Sequence, residues 1–217
     1  MSYHYPFGLG SLLLGLIVLL CVVSAATAAN RSILLIVPTA SDDRVAPSRE
    51  AVAFWNDRRA ELRVEPRLET PQVVVASPVV RALENYARQV VQRATRLPAG
   101  DAEPAPPEVL SGLNADIVVL LSRQDIMSFT WPIPRLIPPR YFVVVRSVRG
   151  PYRRDAMVTR HVVAHELGHA LGLDHNGESH TLMCGPCQPL TAEPDETGFL
   201  PLTEHDRARL IELHRWR

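Results

Sequence analysis

The segment His165-Glu166-Leu167-Gly168-His169 sets two imidazoles four residues apart, with a carboxylate directly after the first. On an α-helix that spacing is about one turn, so both rings face the same way and can share one ion. Imidazole suits zinc, and tetrahedral zinc holding two imidazoles still needs a third protein ligand and leaves one position for water. Glu166 is rotated by about 100° from the ligand face, where it can reach that water without binding the metal itself. His175 follows with Gly172 between it and His169. A glycine can take the left-handed conformation that ends a helix, which lets the chain swing back and present a third ring. The full pattern is His-Glu-x-x-His-x-x-Gly-x-x-His. With each fixed type at a few per cent of residues, its chance occurrence in a chain this long is on the order of one in 10⁵. The chemistry implied is hydrolysis by metal-activated water, with His165, His169 and His175 on one Zn2+ and Glu166 as general base.

Such a site needs a rigid frame. Residues 32–37 (SILLIV) are apolar and β-branched and stop at Pro38, as a buried strand would. Residues 47–61 predict a helix that tolerates Pro47 in its first turn and carries Val52, Trp55 and Arg59 on related faces. Residues 72–76 predict a strand. Residues 79–96 have a helical apolar period through Val79, Leu83, Tyr86, Val90 and Val91, with arginines outward. The proline-rich stretch 97–107 reads as a surface loop. Residues 116–121 and 141–145 predict strands, and 131–139 (WPIPRLIPP) looks too rich in proline for regular structure. The active-site segment then lies on a helix over 158–171. This order predicts an α+β (mixed α/β) domain built on one sheet.

His165 to His175 reads HELGHALGLDH and resembles the metzincin clan of zinc endopeptidases, most closely its matrixins. Met183, eight residues past His175, is similar in place to the clan's methionine in a tight turn below the metal. Residues 203–216, opened by Leu202-Thr203-Glu204-His205-Asp206, resemble the clan's C-terminal helix. Ala53-Phe54-Trp55-Asn56 and Ala115-Asp116-Ile117 resemble the matrixin first helix and third strand. The resemblance implies a twisted, mostly parallel sheet with an active-site helix, a Met-turn and a C-terminal helix, acting as an endopeptidase on proteins or peptides. Three matrixin features are missing. No Pro-Arg-Cys-Gly switch sequence stands before the domain, residues 123–140 hold no histidine for a structural zinc, and Cys184-Gly185-Pro186-Cys187 replaces the usual Pro-x-Tyr after the methionine.

Each sharper reading has a plainer rival. His161 shares a helix face with His165 and reads as a residue near the cleft, while His180, His205 and His214 lack partners at ligand spacing and read as solvated. Met183 could be an ordinary core residue. Cys184 and Cys187 spell a thiol-disulfide exchange motif, but that motif needs a preceding strand and a helix starting at the first cysteine. A structural disulfide bracing the cleft wall is expected instead, with a second zinc on both cysteines plus His180 or His205 as a further option. Asp174 has no assigned role. Glu193, Asp195 and Glu196 could hold Ca2+, but an exposed acidic loop is the simpler reading, and calcium has no support.

Composition sets the outer limits. The chain has 217 residues, 47% of them apolar, with 23 basic and 23 acidic residues for zero formal net charge. One monomeric catalytic domain, 30–217, accounts for that length. Without a basic stripe, nucleic acid is not an expected partner. Residues 12–23 form an apolar run, followed by Ser24-Ala25-Ala26-Thr27-Ala28-Ala29, the layout of a secretory signal peptide over 1–29. Cleavage after Ala28 or Ala29 would give a secreted or periplasmic protein without stable membrane association. An uncleaved anchor is the alternative, since no Lys or Arg precedes the run. Two rival functions stand beside the endopeptidase: a zinc hydrolase of a small non-protein substrate, and a thiol-disulfide exchange protein.

Overall fold

The computed structural model describes residues 29–95, 103–134, 136–147, 155–187 and 198–214. Five strands form one sheet: β1 (Ile33–Val37), β2 (Gln72–Val75), β3 (Ile117–Leu121), β4 (Phe129–Pro132) and β5 (Tyr141–Val145), in the order β2-β1-β3-β5-β4. All neighbours run parallel except β4, which pairs antiparallel with β5. The apolar runs of β1 and β3 are buried at every position, as expected of parallel strands covered on both faces.

Helices supply that cover. Leu35, Val37, Val119, Val143 and Val145 pack with α1 (Val45–Leu62) and α4 (Asp155–Ala170) on one face. Alternate residues Leu34, Ile36, Val118, Leu120 and Val144 pack with α2 (Ser77–Thr95) on the other. The alternation follows from the two-residue period of a strand. Val52, Trp55 and Arg59 are all buried on α1. Burial first, then the neighbouring charge of Arg31, lowers the Arg59 guanidinium to about 10. The chain ends its described part in α5 (Glu204–His214).

Three local readings need correction. The stretch 131–139 was expected to be irregular, yet Trp131 and Pro132 belong to β4, opposite Phe142 and Tyr141. Proline is tolerated there because β4 is an edge strand. Ile133 N–H bonds the Arg140 carbonyl at 2.8 Å, so strand alternation turns the Pro132 nitrogen toward the open edge, where no donor is required. A short helix, α3 (Glu108–Ser111), follows the proline-rich stretch without having been expected. His214 is half-buried rather than solvated, its Nε2 lying 3.4 Å from the Leu171 carbonyl. The signal-like segment 1–28, the acids Glu193, Asp195 and Glu196, and Trp216 lie outside the described residues. Among the described residues no helix is long and apolar enough to cross a membrane.

Candidate metal centre

Everything around the histidines depends on how α4 is seated and how it stops. It is seated against α1, where the Trp55 indole N–H donates to the Ala164 carbonyl at 2.8 Å. Gly168 allows this close approach: a Cβ there would sit 2.4 Å from Met183 Sδ and 3.1 Å from Trp55 Cζ2. Met183 is fully buried in the turn below the helix.

The helix ends in a Schellman motif. Leu173 N–H bonds the Gly168 carbonyl at 3.0 Å and Gly172 N–H bonds that of His169 at 2.9 Å. Gly172 has φ +94°, a conformation that L side chains rarely adopt. The reversed chain then aims its Leu173 carbonyl back at the helix, where it accepts from His169 Nδ1 at 2.7 Å. His165 Nδ1 donates in the same way to the Leu182 carbonyl, also at 2.7 Å.

These two bonds fix the tautomers. With Nδ1 protonated and the rings neutral, Nε2 of His165 and of His169 carries a bare lone pair. Both rings are held neutral: His165 is lowered to about 4 and His169 is lowered as well, in each case first by burial. His175 completes a triangle whose Nε2–Nε2 sides are 3.1, 3.2 and 3.1 Å. Lone pairs converging at that distance repel one another unless a cation lies between them. Tetrahedral zinc with Zn–N of about 2.0–2.1 Å requires sides of about 3.3 Å, so the residues present fit the ion. Among the described residues this is the one cluster of three or more His, Cys, Asp or Glu side chains able to hold a metal.

Glu166 is buried beside the triad, and its pKa is pushed up to about 7 by burial, a rise that Thr130 opposes. Thr130 Oγ1 lies 2.9 Å from Glu166 Oε2 and 2.7 Å from the Glu166 backbone carbonyl. Its single hydrogen can serve the carboxylate, or serve the carbonyl while a protonated Glu166 donates to Oγ1. A cavity of about 390 Å³ opens alongside, lined by Met127, His161, His165, Glu166, Cys184 and Leu200 among others. His161 is buried there, donating from Nδ1 to the Met157 carbonyl at 2.8 Å and accepting at Nε2 from Leu200 N–H at 3.3 Å. That bonding makes it a neutral wall residue of the cavity.

The segment after the triad is fastened twice. Asn176 N–H bonds the Met183 carbonyl at 2.7 Å, and Gly185 N–H bonds the Asn176 carbonyl at 2.9 Å. The Asn176 side chain reaches Asp206 Oδ2 at 3.0 Å. Asp206 also accepts from Thr203 N–H at 2.9 Å, while its own N–H donates to Thr203 Oγ1 at 3.0 Å, a reciprocal cap on α5. Cys184 and Cys187 are bonded to each other. Cys184 sits in a bridge to Asn176 and not at a helix start, so the arrangement that activates an exchange thiol is missing. Asp174 is exposed, and its charge favours protonated His169.

Thr130 and Asn176 were not singled out from sequence, and Asp206 was named there only within the segment that opens the C-terminal helix. Only Asp206 had a local signal, the Thr203-x-x-Asp206 spacing of a capping box.

A helix carrying a converged histidine triad and a buried glutamate, packed beneath a mostly parallel sheet, is the architecture of a zinc metallopeptidase. The sequence profile of the matrixin family matches residues 79–215, and the chain belongs to that family. Among solved structures, the archaemetzincin of Methanopyrus kandleri is 15% identical, covering 85% of this chain and 95% of its own, with a TM-score of 0.46. The zinc-dependent peptidase of Methanocorpusculum labreanum is 17% identical, covering 82% and 99%, with a TM-score of 0.41. No curated protein matches the chain.

Proposed function

We propose that this protein is a zinc-dependent endopeptidase in which His165, His169 and His175 hold the ion and Glu166 is the general base. The observation that carries the reading is the convergence of three Nε2 atoms within 3.2 Å beside a buried carboxylate. When bound, zinc would acidify water and polarise a carbonyl. Glu166 takes the proton of the attacking water and passes it to the leaving amine. Thr130 keeps the carboxylate oriented through both transfers.

Among the described residues, the edge of β4 that does not pair with β5 has no strand partner, which leaves it for an extended peptide to add as a further strand. Because Thr130 lies on β4 and touches Glu166, a peptide along that edge passes the base with chain extending both ways, which favours internal cleavage. The leader-like N-terminus and the Cys184–Cys187 disulfide together support export to an oxidising compartment.

Quenched-fluorescence peptides and casein, assayed with and without o-phenanthroline, test the activity. Cleavage that the chelator abolishes and zinc restores is expected. Chelator-insensitive cleavage, or cleavage of no peptide at all by zinc-loaded protein, would overturn the reading in favour of a different substrate class.

A further inference from the structure

We infer that the disulfide ring from Cys184 to Cys187 positions His175, with Gly185 as the residue against which its imidazole rests. The inference deepens the metal-site reading and depends on His175 being a ligand.

The three histidines are not held alike. Among the described residues, carbonyls of Leu182 and Leu173 fix Nδ1 of His165 and His169, whereas His175 has polar approaches at its Nε2 alone, to the Nε2 atoms of the other two rings. His175 is also exposed and sits on a loop, so helix geometry does not orient it. What constrains its ring is the backbone of Gly185. A Cβ at position 185 would stand 2.6 Å from His175 Cγ, 2.8 Å from Cβ and 2.9 Å from Nδ1. Those are the root of the side chain and the ring itself, not a flexible tip, so any side chain at 185 forces the imidazole or the loop to move.

The loop resists moving. Gly185 is tied by its N–H to Asn176, the neighbour of His175 in sequence. Cys184 is buried, paired with Asn176 in a bridge, and bonded to Cys187 across the ring that contains Gly185. Ring and ligand loop are therefore two short segments clamped face to face. A displacement at Gly185 is passed to the exposed ring of His175, the softer partner. Gly177, in the same ligand loop, has open space where its Cβ would be and provides the matched control.

Zinc affinity, measured by competition with a chromophoric chelator, separates the possibilities. Gly185→Ala is expected to weaken zinc binding by roughly ten- to a hundredfold, the range for loss of a group that orients a ligand. Gly177→Ala should bind as the wild type does. The double variant Cys184→Ser/Cys187→Ser should be weakened as well, by less, because the Gly185 N–H bond to Asn176 remains. As a readout independent of metal, the urea midpoint of the zinc-free protein should fall with Gly185→Ala and should not fall when the same change is made in His175→Gly, where both the ring and the Cβ it collides with are gone. Wild-type affinity in Gly185→Ala, or in the double serine variant, overturns the inference. If His175→Ala itself binds zinc as tightly as the wild type, the metal-site reading fails instead.

Discussion

Gly168 and Met183 should be energetically coupled strongly enough that the cost of one substitution vanishes with the other. In the wild-type background, Gly168→Ala drives a methyl to 2.4 Å from Met183 Sδ and 2.9 Å from its Cε. Overpacking of this kind costs about 1–3 kcal/mol, offset by about 0.5–1 kcal/mol from replacing a glycine in the last turn of a helix with alanine. The net effect is a loss of up to about 2.5 kcal/mol. Met183→Ala alone removes a fully buried side chain and should cost about 2–5 kcal/mol. Once Met183 is gone, the sulfur that blocked the new methyl is gone too. Gly168→Ala should then range from neutral to a stabilisation of about 1 kcal/mol, the helix-propensity gain less what the remaining 3.1 Å approach to Trp55 Cζ2 takes back. The coupling across the cycle is about 1–3 kcal/mol. Urea unfolding of all four proteins in excess chelator, which keeps metal linkage out of the comparison, measures it. Additive effects, or a loss from Gly168→Ala in both backgrounds, would refute the claim that Met183 sets how closely α4 sits on its support.

Two further outcomes follow from the side chains around the triad. Thr130→Val keeps the shape of the residue but removes the hydroxyl shared with Glu166; kcat for a peptide should fall roughly tenfold with zinc content and KM nearly unchanged, and an unaltered kcat contradicts its orienting role. Burial, opposed by the Met157 carbonyl, lowers the His161 pKa below its ordinary 6.5. The unfolded chain therefore binds a proton at this position first as pH falls. Stability contributed by neutral His161 is complete above about pH 6.5 and is lost as pH drops from there through the lower folded value. Urea midpoints between pH 7.5 and 5 should fall less for His161→Gln than for the wild type, and equal slopes would show that His161 is not linked to the acid sensitivity.

What the sequence disclosed depends on whether the controlling interactions are local. The ligand spacing of His165 and His169 is a property of one helix, and the Gly172 turn is a property of the residues at its end, so both could be read from the chain. β1, β3 and β5 were equally plain because parallel strands buried on both faces are continuous apolar runs. β4 was hidden, since an edge strand is allowed the proline that a central strand is not, and the prolines in 131–139 masked it. With β4 hidden, Thr130 could not be brought to Glu166, 36 residues away in sequence. The Asn176 to Asp206 bond joins segments 30 residues apart and leaves no periodic trace. His214 read as solvated for the same reason: its partner carbonyl belongs to Leu171, 43 residues earlier.

The central claim is that the triad holds zinc while Glu166 supplies the base, and Glu166→Gln tests both halves in one protein. Metal content and peptide-cleavage rate should be measured on the same preparation. Glu166→Gln should retain one zinc per chain and lose activity by about 10²–10⁴-fold, the contribution of a positioned acid–base group. Cleavage at an undiminished rate by the zinc-loaded variant would contradict the account.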